Sequence, residues 1–390
     1  MGEPPAPETP GIVVAGHICL DVLPEFLSGG LALQPGGLTQ MGPVTFAAGG
    51  GVANVGSTLG KLGVPVELIA KVGDDLFGKT VADVLRRQPV TASLTLSADA
   101  ATSYSVVVSP PGFDRHFLHH PGLNDHFSPT EIDPDDVTGA AFFYFGYPTL
   151  MRAVYEDGGA ALANLLKAVR ARGVATAVDT ALPDPEGESG RVDWRAFLER
   201  VLPYVDVFVP SLAEAVYMLG ADASPVDIEG GLSSGLYDLT GRLLTMGAAV
   251  AGLKLGEHGI YLRTGSRTRL AATPTTFAPG WAERELWSPA FEVGVVDTVG
   301  AGDAAYAGLL SAIVKGLDVE DAASVATATG SCSVEASGVL GGVRSWEGTL
   351  GRISGGWART AHDASPTWTR HASGVYLGPH DRIEGVRSKE

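Results

Sequence analysis

The chain is 390 residues long, 45% hydrophobic, and carries a net charge of −17. That length suits one large domain with a small appendage, and that apolar share fills a sizeable core. A charge this negative repels phosphate backbones and anionic lipid heads, so neither nucleic acid nor a membrane surface is expected as a partner. A small anionic nucleotide is not excluded, because backbone N–H groups and Mg²⁺ act locally against the global field. The two cysteines, Cys19 and Cys332, make no zinc-like spacing and no disulfide framework. They read as buried free thiols. With a Pro-rich N-terminus that does not resemble a signal peptide, they lead to the expectation of a cytoplasmic protein.

In chain order, residues 11–16 form an apolar run that ends in small residues and reads as a buried strand. Residues 20–46 lack a helical period. Gly49, Gly50 and Gly51 then open a helix-like stretch over 52–62, which Gly63 stops. A strand over 66–72 and a helix over 77–87 follow. The β-rich segments 102–108 and 115–119 flank a Ser-Pro-Pro-Gly-Phe-Asp turn, which is a hairpin signal. The pattern then predicts strand 141–145, helix 155–172, strand 174–179 ending on Asp179, helix 194–202 and strand 205–209. Helix 212–219 takes Ser211 as its N-cap. Strands over 249–253 and 259–264 precede helices over 303–315 and 319–331.

Strands that alternate with helices and are continuously apolar argue for a parallel sheet covered on both faces. Ligands in such folds sit outside the carboxyl ends of the strands. The two early β segments break the alternation and predict a small extra sheet. From Trp346 the acidity disappears, and six Lys/Arg face five Asp/Glu in a Gly-, Ser-, Thr- and Pro-rich stretch without periodicity. A flexible or loosely docked tail over 346–390 is expected, although Trp346, Trp357 and Trp368 allow partial docking on the body.

The strongest chemical signal is Asp297-Thr298-Val299-Gly300-Ala301-Gly302-Asp303 at the start of a helix. Small residues let successive N–H groups point into one concavity, and the helix N-terminus adds its dipole. Such a site suits the charge on a phosphoryl group in transfer. Asp303 would repel a phosphate, but it suits a base that takes a proton from an attacking hydroxyl. Read alone, the residue is equally consistent with a helix cap.

This segment resembles the C-terminal signature of the ribokinase (PfkB) family of carbohydrate kinases. Gly49-Gly50-Gly51-Val52-Ala53-Asn54, Leu62-Gly63 and the stretch from Gly73 through Asp75 to Gly78 resemble its N-terminal signature. The resemblance implies a ribokinase-like three-layer α/β fold over 11–345, with a central mostly parallel sheet. It also implies a small β lid made from about 20–46 and 101–120. The implied activity is ATP-dependent phosphorylation of a hydroxyl on a sugar or nucleoside, with Mg²⁺. The resemblance makes Asp303 the base and the backbone of Gly300, Ala301 and Gly302 the anion hole. Asp21, Gly49, Gly50 and Asn54 become the acceptor contacts. Lys254, Gly256, Gly259, Thr298 and Ser333 fall on the nucleotide side. Glu214 would organise Mg²⁺ through water, and Asp297 is a candidate ligand for a monovalent cation such as K⁺. Position 211 is Ser where the family typically has Asn. Arg115 is a candidate contact to an acidic or phosphorylated substrate, with a solvated hairpin arginine as the favoured alternative. Relatives of this kind allow a homodimer through the lid. A non-catalytic sugar- or nucleotide-binding protein on the same scaffold is the alternative from a different class.

Overall fold

The computed structural model describes residues 10–27, 35–111, 116–220, 234–360 and 366–382. In chain order the strands are β1 (Ile12–Gly16), β2 (Cys19–Pro24), β3 (Val44–Gly49), β4 (Val66–Gly73), β5 (Thr91–Ser97), β6 (Tyr104–Val108), β7 (His116–His120), β8 (Phe142–Gly146), β9 (Ala175–Asp179), β10 (Val207–Phe208), β11 (Val250–Lys254), β12 (Ile260–Thr264), β13 (Glu285–Ser288), β14 (Thr369–Arg370) and β15 (Tyr376–Leu377). The helices are α1 (Gly50–Lys61), α2 (Leu76–Leu85), α3 (Arg152–Tyr155), α4 (Ala160–Ala171), α5 (Trp194–Val201), α6 (Leu212–Leu219), α7 (Ser234–Met246), α8 (Arg267–Ala271), α9 (Ala301–Val314), α10 (Val319–Ser333) and α11 (Trp346–Ser354).

Among the described residues, eleven strands make one sheet in the order β14-β15-β13-β12-β11-β10-β9-β8-β1-β4-β5, and β3-β2-β6-β7 make a second. The run from β11 to β5 is parallel. Strands β12, β13, β15 and β14 add on antiparallel. This is the expected α/β architecture with a mostly parallel sheet and a separate small one. The alternation of side chains explains the continuously apolar strands. Ile12, Val14, Phe142 and Tyr144 face one core with residues of α1, α9 and α10. Val13, Ala15, Phe143 and Phe145 face the other with residues of α4, α5, α6 and α7. Each buried side chain of this size stabilises the fold by about 1.5–3 kcal/mol.

Strand β1 is the pivot. The chain leaves it for β4 and β5 on one side, then returns to β8 on the other. This reversal opens a crevice at the carboxyl ends of β1 and β8. The small sheet leans over that crevice. Its β2 pairs antiparallel with β3 and parallel with β6, and β6 pairs with β7. Arg115 lies outside the described residues, as does part of the 20–46 segment.

Local structure departs from the pattern in three places. The helix expected over 155–172 is broken, because Gly158 and Gly159 take left-handed φ values of 66° and 81°. Gly159 also packs so close that a Cβ would lie 2.7 Å from the Phe197 ring. Strand β5, at an exposed edge, strand β13 and helices α7 and α8 carry weaker patterns and were not anticipated.

The third departure is the segment after 345. Helix α11 packs on α10, with Trp346, Leu350 and Ile353 against the core. The β14–β15 hairpin extends the main sheet beyond β13. Tyr376 stacks on Trp287 at 5.2 Å, and Trp368 meets Trp287 and Tyr261 edge-on. Asp381 accepts hydrogen bonds from Arg284 Nε and the Glu285 N–H, each at 2.8 Å. Aromatic anchors and a buried ion pair hold a sequence whose hydrophobic period is too short to show. Among the described residues, no helix is long and apolar enough to cross a membrane.

Candidate functional site

A cleft of about 1800 Å³ lies at the carboxyl ends of β1, β8, β9 and β11, between the N-terminus of α9 and the small sheet. At its centre is Asp303, in the first turn of α9 and only 4% exposed. The cap of that helix is Gly300, with φ 71°, so Asp303 is not the cap. Its Oδ2 accepts from Asn54 Nδ2 at 2.8 Å, and its Oδ1 accepts from the Tyr147 hydroxyl at 2.6 Å. Burial raises its pKa above the usual carboxylate range. The Lys254 charge and the two hydrogen bonds oppose that shift, and Glu214 adds to it.

Tyr147 was not foreseen from the sequence. It directly follows β8, and its backbone is left-handed at φ 60° and ψ 49°. A tyrosine held there is strained, and such strain gathers at functional sites. Its ring lies on Gly51, where a Cβ would come within 3.1 Å of it. The available signal was a polar aromatic side chain immediately past the end of a parallel strand.

Beside Asp303, Lys254 Nζ donates to both oxygens of Asp179, at 2.8 and 2.9 Å. Burial opposes the Lys254 charge, but Asp179, Glu214 and Asp303 together hold its pKa above the ordinary value. Burial pushes Asp179 up to about 7 against the pull of Lys254, with Glu214 and Asp303 adding repulsion. The lysine stays a cation, and the three carboxylates around it compete for that one charge. The Lys254 chain also runs beside Gly302, where a Cβ would lie 3.4 Å from its Cδ. Glu214 Oε2 accepts from the Ser211 N–H at 2.9 Å and the Thr180 hydroxyl at 3.0 Å. Ser211 in turn accepts from the Glu214 N–H, closing a capping box on α6.

Towards the lid, Asp21 is 7% exposed. Burial pushes it up to about 6, against hydrogen bonds from Cys19 and Ser105 and with a contribution from the Asp303 charge. His119 of β7 bonds to Ser105 at 3.0 Å and meets His17 at 3.4 Å. Burial, helped by neighbouring His120, lowers His119 to about 4. Burial and His119 likewise hold His17 well below its usual value, so both rings are neutral near pH 7. Among the described residues, His17 Nδ1 and Asn54 Oδ1 are buried without a hydrogen-bond partner. Buried polar atoms of this kind call for a polar ligand.

The model of the pfkB family carbohydrate kinases matches residues 11–345. The chain belongs to this family. By that membership it is an ATP-dependent carbohydrate kinase. It is similar to an uncharacterized sugar kinase of Archaeoglobus fulgidus, 24% identical over 67% of this chain and 88% of the relative. It is also similar to a probable fructokinase-4 of Arabidopsis thaliana, 27% identical over 78% of this chain and 82% of the relative. A putative ribokinase II of E. coli, solved with ATP and Mg²⁺, shares the fold at a TM-score of 0.67 and 18% identity, over 88% of this chain and 99% of that one.

The family's expected positions converge only in part. Asp21, Gly50, Asn54, Glu214, Lys254, Gly256, Gly259, Thr298, Gly300, Ala301, Gly302 and Asp303 line the one cleft. Gly49 lies behind it, where a Cβ would sit 2.1 Å from Asp21 Oδ2, so this glycine makes room for the carboxylate. Ser333 does not reach the cleft. It is buried in α10 and donates to the Gly330 carbonyl at 2.7 Å. Thr327, Gly330, Ser331 and Val334 form the cleft-lining stripe at helical spacing instead. Asp297 accepts from the N–H groups of Val299 at 3.0 Å and Gly338 at 2.9 Å, and so clasps two loops. Asp179 joins the site although the sequence marked it only as the end of a strand.

Proposed function

We propose that the enzyme moves the γ-phosphoryl group of ATP to a primary hydroxyl of an unphosphorylated sugar, with Asp303 as the base. One observation carries this reading. A buried carboxylate sits in the first turn of α9, held by Asn54 and Tyr147, at the junction of a polar acceptor pocket and a small-residue anion loop. The acceptor hydroxyl gives its proton to Asp303 as its oxygen bonds to the γ-phosphorus. The bond from that phosphorus to the β–γ bridging oxygen breaks, and ADP leaves. The N–H groups of 300–302 face the developing charge, and Lys254 sits beside them.

When bound, Mg²⁺ neutralises the triphosphate. The donor set fits it, because hard carboxylates suit a hydrated divalent cation and Asp179, Glu214 and Asp303 repel one another without one. Glu214 and Asp179 are the groups we assign to its water shell. Asp21, Asn54 Oδ1 and His17 Nδ1 are assigned to acceptor hydroxyls. Among the described residues that line the cleft, the only Lys or Arg is Lys254, which favours an acceptor without its own phosphate.

The test is ADP release across a panel of ketohexoses, pentoses, nucleosides and sugar phosphates. Turnover on a neutral sugar is expected, and a clear preference for a sugar phosphate or a nucleoside would overturn the assignment. We also propose pairing of two chains through the lid. Val44, Phe46, Phe117 and Leu118 are exposed there, and among the described residues β3 and β7 are its outermost strands. Light scattering at micromolar concentration checks this, with a monomer as the refuting result.

A further inference from the structure

The cleft leads away from Asp303 in two directions. One end meets the lid. The other runs past residues 300–302 to the Thr327, Gly330 and Ser331 stripe of α10, the 290–293 loop and Thr360. Thr360 lies beyond residue 345, where the family match ends. The chain therefore closes its cleft with a piece that the family region does not contain.

That piece is built into the wall. Residues 358–360 run antiparallel to 290–292. The Glu292 N–H donates to the Ala358 carbonyl, and the Thr360 N–H donates to the Ala290 carbonyl, both at 2.9 Å. Phe291 and Arg359 form the bridge between them. The Trp357 indole N–H donates to the Glu292 carbonyl at 2.8 Å. Four side chains then stack. The Arg352 guanidinium lies 3.5 Å from the Trp357 ring centroid, Trp357 lies 4.4 Å from Phe291, and Arg359 lies 4.1 Å from Phe291. Arg359 also donates to the Ser288 and Ser324 hydroxyls and to the Pro289 and Ser373 carbonyls. This much order is more than a surface loop needs for its own sake. It fixes the backbone that borders the cleft opposite the small face of α10.

We propose that residues 357–360 are part of the nucleotide site, with Thr360 on the wall that faces the base and Trp357 and Arg359 as positioning residues for the 290–292 loop. The ligand class is a nucleoside triphosphate with its phosphates at 300–302. The 290–292 loop is anchored on α10 by the Phe291 N–H, which donates to Ser331 Oγ at 3.1 Å, and the cleft end that this loop, Thr360 and Gly330 line suits an apolar ring system. A wall rigid before binding lowers the ordering cost of the ligand. The inference rests on the kinase reading, because that reading assigns this end of the cleft to ATP.

The test uses full-length protein and calorimetric titration with a non-hydrolysable ATP analogue, alongside KM for the acceptor. Trp357 is half-buried at the surface, so Trp357→Ala is expected to fold. It should weaken analogue binding about tenfold, the loss of one good aromatic stack. Acceptor KM and kcat at saturating ATP should stay within about twofold, and Trp357→Phe should restore binding. Thr360→Trp keeps the backbone bond to Ala290 and places bulk at this end of the cleft, so it should also weaken the analogue selectively. Unchanged analogue binding in both variants overturns the inference, and so does a parallel loss of analogue and acceptor. Wild-type protein that binds no nucleotide would instead sink the kinase reading itself.

Discussion

The two ends of the cleft are built on opposite plans. At the lid end, polar groups are buried and left short of partners. His17 Nδ1 and Asn54 Oδ1 are unmatched among the described residues, Asp21 is pushed up to about 6, and Tyr147 holds a left-handed backbone. At the tail end the Thr327, Ser331 and Thr360 hydroxyls are bonded within the protein, and the lining residues are small. The first plan selects by hydrogen bonds, because a ligand without the right hydroxyls leaves buried atoms unpaired. The second selects by shape. The difference teaches where substitutions should separate the two substrates.

The largest effect is expected at the junction. Asp303→Asn should lower kcat about 10²–10⁴-fold, the usual range for a general base, with ATP-analogue affinity nearly unchanged. Near-normal turnover in steady-state assays would remove Asp303 from the role of base. Next comes Asn54→Leu, which deletes the bond to Asp303 and the unmatched Oδ1 together. We expect acceptor KM to rise about tenfold or more while the nucleotide Kd holds. An equal loss on both substrates would erase the contrast between the two ends.

Tyr147→Phe should act through pH. The Tyr147 hydroxyl stabilises the ionised form of Asp303, so its removal raises the pKa of a base already pushed up by burial. The proposed mechanism needs Asp303 ionised. The acid limb of the pH–rate profile should therefore move to higher pH, with a small effect on the alkaline side. A profile that falls evenly at all pH values would mean that Tyr147 only supports the fold.

The smallest effect is one of stability, and its sign follows from Asp21. Burial lifts this group from 3.8 to about 6, so the folded protein holds the proton more tightly than the unfolded chain. That contribution is complete below about pH 4 and is lost as the pH rises through about 6. Asp21→Asn removes the loss. Its melting temperature should exceed wild type by about 2–4 °C at pH 8 and converge on it near pH 4, while acceptor binding weakens. A variant that melts lower than wild type at pH 8 would show that the Asp21 carboxylate stabilises the lid rather than straining it.

Much of the candidate site was legible in the sequence. The alternation of apolar runs, the two glycine-rich signatures, and Asp303, Asn54, Lys254 and Glu214 are local in the chain, and each motif carries its own chemistry. Gly50 and Gly300 were readable because their positive φ values of 85° and 71° favour glycine. What the residues alone left open was whether Asp303 caps a helix; in the fold Gly300 takes the cap, and the carboxylate meets Asn54 and Tyr147, far away in sequence. Tyr147 and Asp179 were missed as site residues because a polar residue at a strand end does not by itself show which neighbours it meets. Ser333 was misplaced for the same reason, since a face of α10 is chosen by what packs on it. The tail shows the limit most clearly. Its composition reads as loose, and its order comes from Trp287, Phe291 and Arg284, which belong to distant strands and loops. Local pattern determines which elements form and which residues can do chemistry. Tertiary packing decides which of them meet, because burial and pairing across the sheet set the energy of each contact.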